Sequence, residues 1–296
     1  MKAANKIMIQ RRTALKGIAS FAVAGLVAAC GGGSTTSTTS SAVDTGTGGN
    51  TGSTGGTGTT GSTTSPIELV TDWAEGGTAS MTENFPDDSL FETGTACAVS
   101  LTGNQTEGPC YFTGDLRDDI SEEQTGLPMM LCLQLVNQSC EPLSGYEIEV
   151  WHCNVTGVYS GDTDGSADAS SFNSSFCTGN DSQALAAKWF RGTLITDSNG
   201  RVNFKTCFPG WYPSRAIHIH FRVRNNNNDE VVSQFGFDDD FNEYLCTTHT
   251  NYTSNGAPDT SNTTDTVFGS DYEEYLFNIQ QNNDGSLLAY KRIVIN

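Results

Sequence analysis

Two alternate histidines, an arginine and a proline-framed tyrosine fall close together in the stretch F-P-G-W-Y-P-S-R-A-I-H-I-H-F, from Phe208 to Phe221. On a strand, successive side chains point to opposite faces. His218 and His220 then share one face, roughly 7 Å apart at Cβ, and Ile217, Ile219 and Phe221 share the other. Two imidazoles so spaced reach one ion. Pro209 and Pro213 bracket Tyr212, and Gly210 frees the backbone, which predicts a stiff turn presenting that tyrosine. The chain has four histidines, His152, His218, His220 and His249. A conventional zinc or copper site would therefore draw its third ligand from His249 or from the Asp238–Asp240 run. The spacing alone permits several metals. The second half of the site is expected to open with I-E-V-W-H-C-N-V-T-G-V-Y-S, from Ile148 to Ser160.

The elements that must position these groups read mostly as strands. Apolar or alternating runs cover 127–135, 146–153, 190–196, 202–207, 216–223, 231–237 and 287–295. Asp197-Ser198-Asn199-Gly200 reads as a hairpin connection, and 225–228 and 282–285 read as loops. Helices are expected over 115–123 and over 271–281, where Tyr272, Tyr275, Leu276 and Ile279 recur at helical spacing. Together these predict an all-β fold: a β-sandwich core with few short helices and long loops.

At the N-terminus, Lys2, Lys6, Arg11, Arg12 and Lys16 precede an apolar run from Gly17 to Ala29 that is too short to span a bilayer. Residues 1–29 read as an export signal, and L-V-A-A-C ending at Cys30 resembles a lipobox, whose cysteine is acylated after cleavage. Arg11-Arg12 resembles a twin-arginine signal. Residues 30–65 are almost wholly Gly, Ser and Thr beyond the cysteine, a flexible tether with a reach of roughly 30–35 Å. The rest, 66–296, suits one domain.

Without the five basic residues of the signal, ten Lys/Arg face 34 Asp/Glu, a net charge near −24. That balance argues against nucleic acid as a partner. Beyond Cys30 there are eight cysteines, at 97, 110, 132, 140, 153, 177, 207 and 246. For an exported chain they predict up to four disulfides, with the pairing open.

With both stretches in view, residues Thr106 to Phe237 resemble the intradiol ring-cleavage dioxygenases. The likeness runs through E-G-P-C-Y at 107–111, L-R-D-D-I at 116–120 and the stretch from Pro142 to Ser160. It continues through F-R-G-T-L at 190–194, P-G-W-Y-P-S-R-A-I-H-I-H-F at 209–221 and S-Q-F-G-F at 233–237. The resemblance implies a non-haem Fe(III) held by Tyr159, Tyr212, His218 and His220, a set that suits ferric iron because phenolates are hard anionic donors. It implies that Tyr212 leaves the metal when a catechol binds and takes up a substrate proton. It also implies that Arg215 stabilises developing negative charge and that Gln234 lies near the pocket. The activity implied is cleavage of a catechol by O2 between its hydroxyl-bearing carbons, to cis,cis-muconate-type products.

Residues 107–111 are expected at the mouth, or as a turn anchored through Cys110. Gly161 to Ser182 reads as an added surface loop. The N-terminal part does not resemble the helical dimerisation segment of cytosolic catechol dioxygenases, which leaves the oligomeric state open. Read by themselves, Arg215 also suits a surface ion pair, as the lesser alternative, and Gln234 an ordinary strand position. The rival reading of the whole is a non-catalytic surface module that binds carbohydrate or protein. A copper/zinc superoxide dismutase-like sandwich would need more histidines than this chain has.

Overall fold

Alternation of apolar and polar side chains decides this architecture. The structure, a computed structural model, describes residues 72–92, 101–166 and 168–296. The export segment, Cys30, the tether and Cys97 lie outside these residues. In chain order the strands are β1 (Pro128–Asn137), β2 (Glu147–Trp151), β3 (Arg191–Ile195), β4 (Arg201–Cys207), β5 (His218–Asn225), β6 (Asn228–Gly236), β7 (Asn278–Gln281) and β8 (Leu287–Ile295). They form two four-stranded sheets, ordered β4-β1-β8-β7 and β3-β2-β5-β6. Among the described strands only β1 and β8 pair in parallel.

One apolar cluster joins the sheets: Leu131, Leu133 and Phe204 from the first, Ile148, Ile219 and Phe221 from the second, all buried. The expected β-sandwich is therefore the fold. On β5, Ile219, Phe221 and Val223 belong to this hydrocarbon layer. His218, His220, Arg222 and Arg224 then line the outer face of their sheet, which loops cover.

Several expected elements differ. The Asp197–Gly200 turn forms, closed by the Gly200 N–H to the Asp197 carbonyl at 3.0 Å, but it links β3 to β4 across the two sheets and is no hairpin. The true tight hairpin lies at Asn226 and Asn227, whose positive φ values of 49° and 64° suit a two-residue turn between β5 and β6. Residues 115–123 are not helical. They run extended from one sheet to the other, bridging Leu116 to Thr193 of β3 and Asp119 to Lys205 of β4. In the 271–281 region a 3-10 turn at Gly269–Tyr275 gives way to β7, because Ile279 and its neighbours pair with β8.

Helix α1 (Ser174–Thr178) falls in the added loop, and α2 (Ser182–Leu185) begins at that loop's last residue. The longest helix among the described residues, α3 (Asp239–Thr248), was not expected. Its N-cap is Asp238, which accepts from the Asp240 and Phe241 N–H groups.

Four disulfides do not form. Cys110 pairs with Cys177 and Cys140 is also disulfide-bonded, but Cys132, Cys153, Cys207 and Cys246 are free and buried. Each of these four packs in a different apolar cluster as a small hydrophobe. Burial pushes their thiols up to about 12, which makes them inert. Among the described residues no helix is long and apolar enough to cross a membrane.

His152, just past β2, is fully buried between the Cys153 carbonyl and the Thr206 hydroxyl, each 2.8 Å from a ring nitrogen. Burial pushes its pKa down from 6.5 to about 4. The unfolded chain takes up this proton below about pH 6.5, the folded one only near pH 4. The stabilisation is thus complete above pH 6.5 and is lost as pH falls to 4, on the order of 3 kcal/mol. The urea midpoint is expected to drop between pH 7 and 4.5, and His152→Gln to make that drop shallower by the share of one buried histidine. An unchanged pH slope in the variant would refute this assignment.

Candidate metal centre

The outer face of β5 presents His218 and His220, and cross-strand register surrounds the second of them. His220 pairs with Trp151 on β2 and with Gln234 on β6. The Trp151 indole stacks on the His220 ring, 4.8 Å between centroids and 6° from parallel. The tyrosines arrive on two interlocked turns. At 210 a Cβ would sit 2.3 Å from the Val155 carbonyl oxygen, and at 157 one would sit 2.3 Å from that of Trp211. Only glycines let the 208–213 turn seat against the loop that carries Tyr159. That loop is also tied to α1, since the Tyr159 N–H donates to the Cys177 carbonyl at 2.8 Å.

Four donors converge. His218 Nε2 lies 3.1 Å from His220 Nε2, 3.2 Å from the Tyr212 hydroxyl and 3.4 Å from the Tyr159 hydroxyl. His218 Nδ1 donates to the Ala216 carbonyl at 2.6 Å, which turns the Nε2 lone pair toward the other three. His220 Nδ1 is buried without a partner. Burial first, then the nearby Arg215, pushes His218 down to about 3, and burial and His218 hold His220 well below its ordinary range. Burial likewise pushes Tyr212 up to about 12 and raises Tyr159 well above its ordinary value. Without a cation these are neutral groups crowded around lone pairs.

Behind them stands an ion pair. Arg215 Nε donates to Asp265 at 2.9 Å, and its Nη2 donates to Gln234 Oε1 at 2.5 Å. Gln234 in turn donates to the Thr106 carbonyl at 2.8 Å. Asp265 also accepts from the Ala216 N–H at 2.7 Å. Although burial opposes it, that N–H bond and the guanidinium hold the Asp265 carboxyl below the usual range.

At the rim, Gly108 lies against His220: a Cβ there would come within 3.5 Å of the ring. Cys110 anchors this strip to Cys177 of α1. Tyr111 points inward instead, donating to Glu149 at 2.8 Å under the Arg222 guanidinium. Phe176, 58% exposed, stands edge-on to the half-buried Tyr212, 6.3 Å between ring centroids. The 107–111 stretch is therefore both rim and disulfide anchor.

A family model described as a dioxygenase matches residues 107–280. A solved intradiol ring-cleavage dioxygenase from Tetranychus urticae is 28% identical with a TM-score of 0.56, covering 67% of this chain and 94% of that one. The chain belongs to the intradiol dioxygenase family. It is similar to catechol 1,2-dioxygenase 1 of Acinetobacter lwoffii, 23% identical over 47% of each chain. It is also similar to the catechol 1,2-dioxygenase of Candida albicans, 30% identical over 32% of this chain and 31% of that one. The chain spans about half the length, or less, of the curated relatives it matches.

Members of the intradiol dioxygenase family are non-haem Fe(III) enzymes, and the donors present fit such an ion. The 3.1–3.4 Å separations around His218 Nε2 would let one ion be shared by all four donors. The partnerless His220 Nδ1 suits a ring whose Nε2 binds metal, since its proton then belongs on Nδ1. The other ligand sources considered fall away. Asp238 caps α3, and His249 Nε2 lies 3.1 Å from the Ala74 carbonyl. Among the described residues no group of three or more His, Cys, Asp or Glu side chains is placed to hold a metal.

Sequence reasoning missed Asp265, which lies beyond the 106–237 likeness and has no spacing signal. Trp151 and Arg191 were visible as motif letters, but their use depends on register.

Proposed function

We propose that this chain uses O2 to open catecholic rings between the two hydroxyl-bearing carbons, with Tyr159, Tyr212, His218 and His220 holding Fe(III). The observation that carries the reading is the convergence of two phenols and His220 Nε2 within 3.1–3.4 Å of His218 Nε2. Ferric iron in such a set supplies Lewis acidity, which ionises the phenols and polarises a bound catechol toward O2.

The chain's own groups divide the remaining work. Tyr159, His218 and His220 are buried, whereas Tyr212 is half-buried beside the exposed Phe176. Tyr212 is thus the ligand with room to move, and its phenolate oxygen would take the catechol proton and become the neutral phenol. Arg215, fixed by Asp265 and Gln234, places a guanidinium where negative charge develops on the ring, at no reorganisation cost. Asp265→Asn is expected to lower kcat about 10–100-fold by loosening Arg215 while ferric loading stays intact. Equal loss of bound iron would contradict that division.

The same proposal takes residues 66–296 as the catalytic domain, exported and held at a membrane by a lipid on Cys30. The Cys110–Cys177 disulfide supports an oxidising setting. Cys30→Ser should release the chain from the membrane fraction, and retention would refute the anchor.

The deciding test is the visible spectrum of the ferric protein before and after anaerobic catechol, followed by O2 uptake. A tyrosinate-to-iron band that moves to longer wavelength, and ring-opened product on admitting O2, are expected. A protein that stays colourless with ferric iron would overturn the reading in favour of a binding module.

A further inference from the structure

Of the three buried arginines among the described residues, two have carboxylate partners: Arg201 pairs with Asp88 and Arg222 with Glu107. Arg191 is the exception. It is 0% exposed, and no carboxylate among the described residues lies within 4.0 Å of it. Its Nε and Nη2 donate to the side chain and carbonyl of Ser160, at 3.0 and 2.9 Å, and its Nη1 is buried with no partner. The guanidinium lies 3.9 Å from the Phe112 ring centroid, 5.8 Å from that of Phe172 and 5.9 Å from that of Tyr159. Glu149, the buried carboxylate on the same sheet face, is already engaged by Tyr111 and Arg224.

A desolvated cation with no counter-ion is unfavourable, so such a group persists where an anion is to come. The one group beside Arg191 that becomes an anion is Tyr159, once a ferric ion binds. Register supports the link: Arg191, Trp151, His220 and Gln234 stand directly opposite one another across β3, β2, β5 and β6. The cation is therefore in the row that carries a ligand, and it grips the residue that follows another.

Resting on the ferric reading above, we infer that Arg191 is a positioning residue that supplies the counter-charge for the Tyr159 phenolate and so strengthens ferric binding. Aromatic faces on two sides keep water from screening it.

The test is a double-mutant cycle on ferric affinity, measured by competition with a chelator and needing no turnover. Arg191→Gln should weaken ferric binding about tenfold or more in the wild-type and Tyr212→Phe backgrounds, as expected for a ligand's supporting partner. In the Tyr159→Phe background it should change affinity by no more than about twofold. Arg191→Lys, which keeps the charge and loses the fork, should stay within about threefold of wild type. If Arg191→Gln does not fold, Arg191→Met, which keeps the stem against Phe112, replaces it. A loss of equal size in the Tyr159→Phe background, or Arg191→Lys as weak as Arg191→Gln, would make Arg191 a structural brace and overturn the inference while the metal site stands. A wild-type chain that binds no ferric iron would overturn both.

Discussion

Replacing His218 with alanine is expected to abolish ferric binding, the visible band and oxygen uptake together. His218 is the hub: the other three donors are each 3.1–3.4 Å from its Nε2, and its Nδ1 is locked to the Ala216 carbonyl. Without it the remaining donors have no common centre, and the loss should exceed the roughly 10–100-fold typical when only a ligand's supporting contact is removed. The fold should survive, because β5 is held on its other face by Ile219, Phe221 and Val223. His249→Ala is the matched control. Its ring lies at the Ala74 carbonyl, and iron content and activity should not change. Retained ferric binding in His218→Ala, with thermal unfolding near that of wild type, would refute the four-donor assignment.

The second large effect concerns the rim. Cys110 and Cys177 close a loop with a sequence separation of 67. In the chain-entropy picture, cross-linking a loop of that length stabilises the fold by about 4 kcal/mol relative to the open chain. Cys177→Ser is expected to lower the melting temperature by about 10 °C in a domain of this size. It should also raise KM for catechol more than it lowers kcat. The disulfide holds the 107–111 strip beside His220 and keeps α1, with Phe176, over Tyr212. The metal donors themselves sit on β5 and on the interlocked turns. A melting temperature unchanged by the substitution would show that the bond constrains nothing, and a fall in kcat alone would place the rim outside substrate binding.

Much of the fold was legible because alternation is a local signal. His218 to Val223 reads correctly as a strand with imidazoles on one side and hydrocarbon on the other. What alternation cannot carry is which strands meet. Asp197–Gly200 has every mark of a turn, yet whether it joins partners or crosses between sheets depends on β1 and β8, far apart in sequence. The 271–281 stretch has helical spacing, but the edge of β8 offered Ile279 a ladder of hydrogen bonds, and tertiary pairing prevailed.

Helix α3 hid for the opposite reason. It is polar, and its three opening aspartates resemble ligands until Asp238 is seen as a cap. The site divides in the same way. Its four donors, Arg215 and Gln234 stand in motifs that sequence alone displays. Asp265 reaches them from 50 residues beyond Arg215, and Arg191 joins them only through the register of a sheet.

The division of the cysteines bears on what reduction would undo. None of the bonded cysteines described lies on a strand: Cys110 is in a loop, Cys140 in the turn after β1 and Cys177 in α1. The two cysteines on strands, Cys132 and Cys207, remain thiols inside packed clusters. Cys110 and Cys177 are themselves buried, yet they join a loop to a short helix, and no strand pairing depends on their bond. Among the described residues no cysteine on a strand is cross-linked, and the Cys110–Cys177 bond fastens the 107–111 strip to α1. Reduction is therefore expected to unfasten the doorway while both sheets stay threaded as they are.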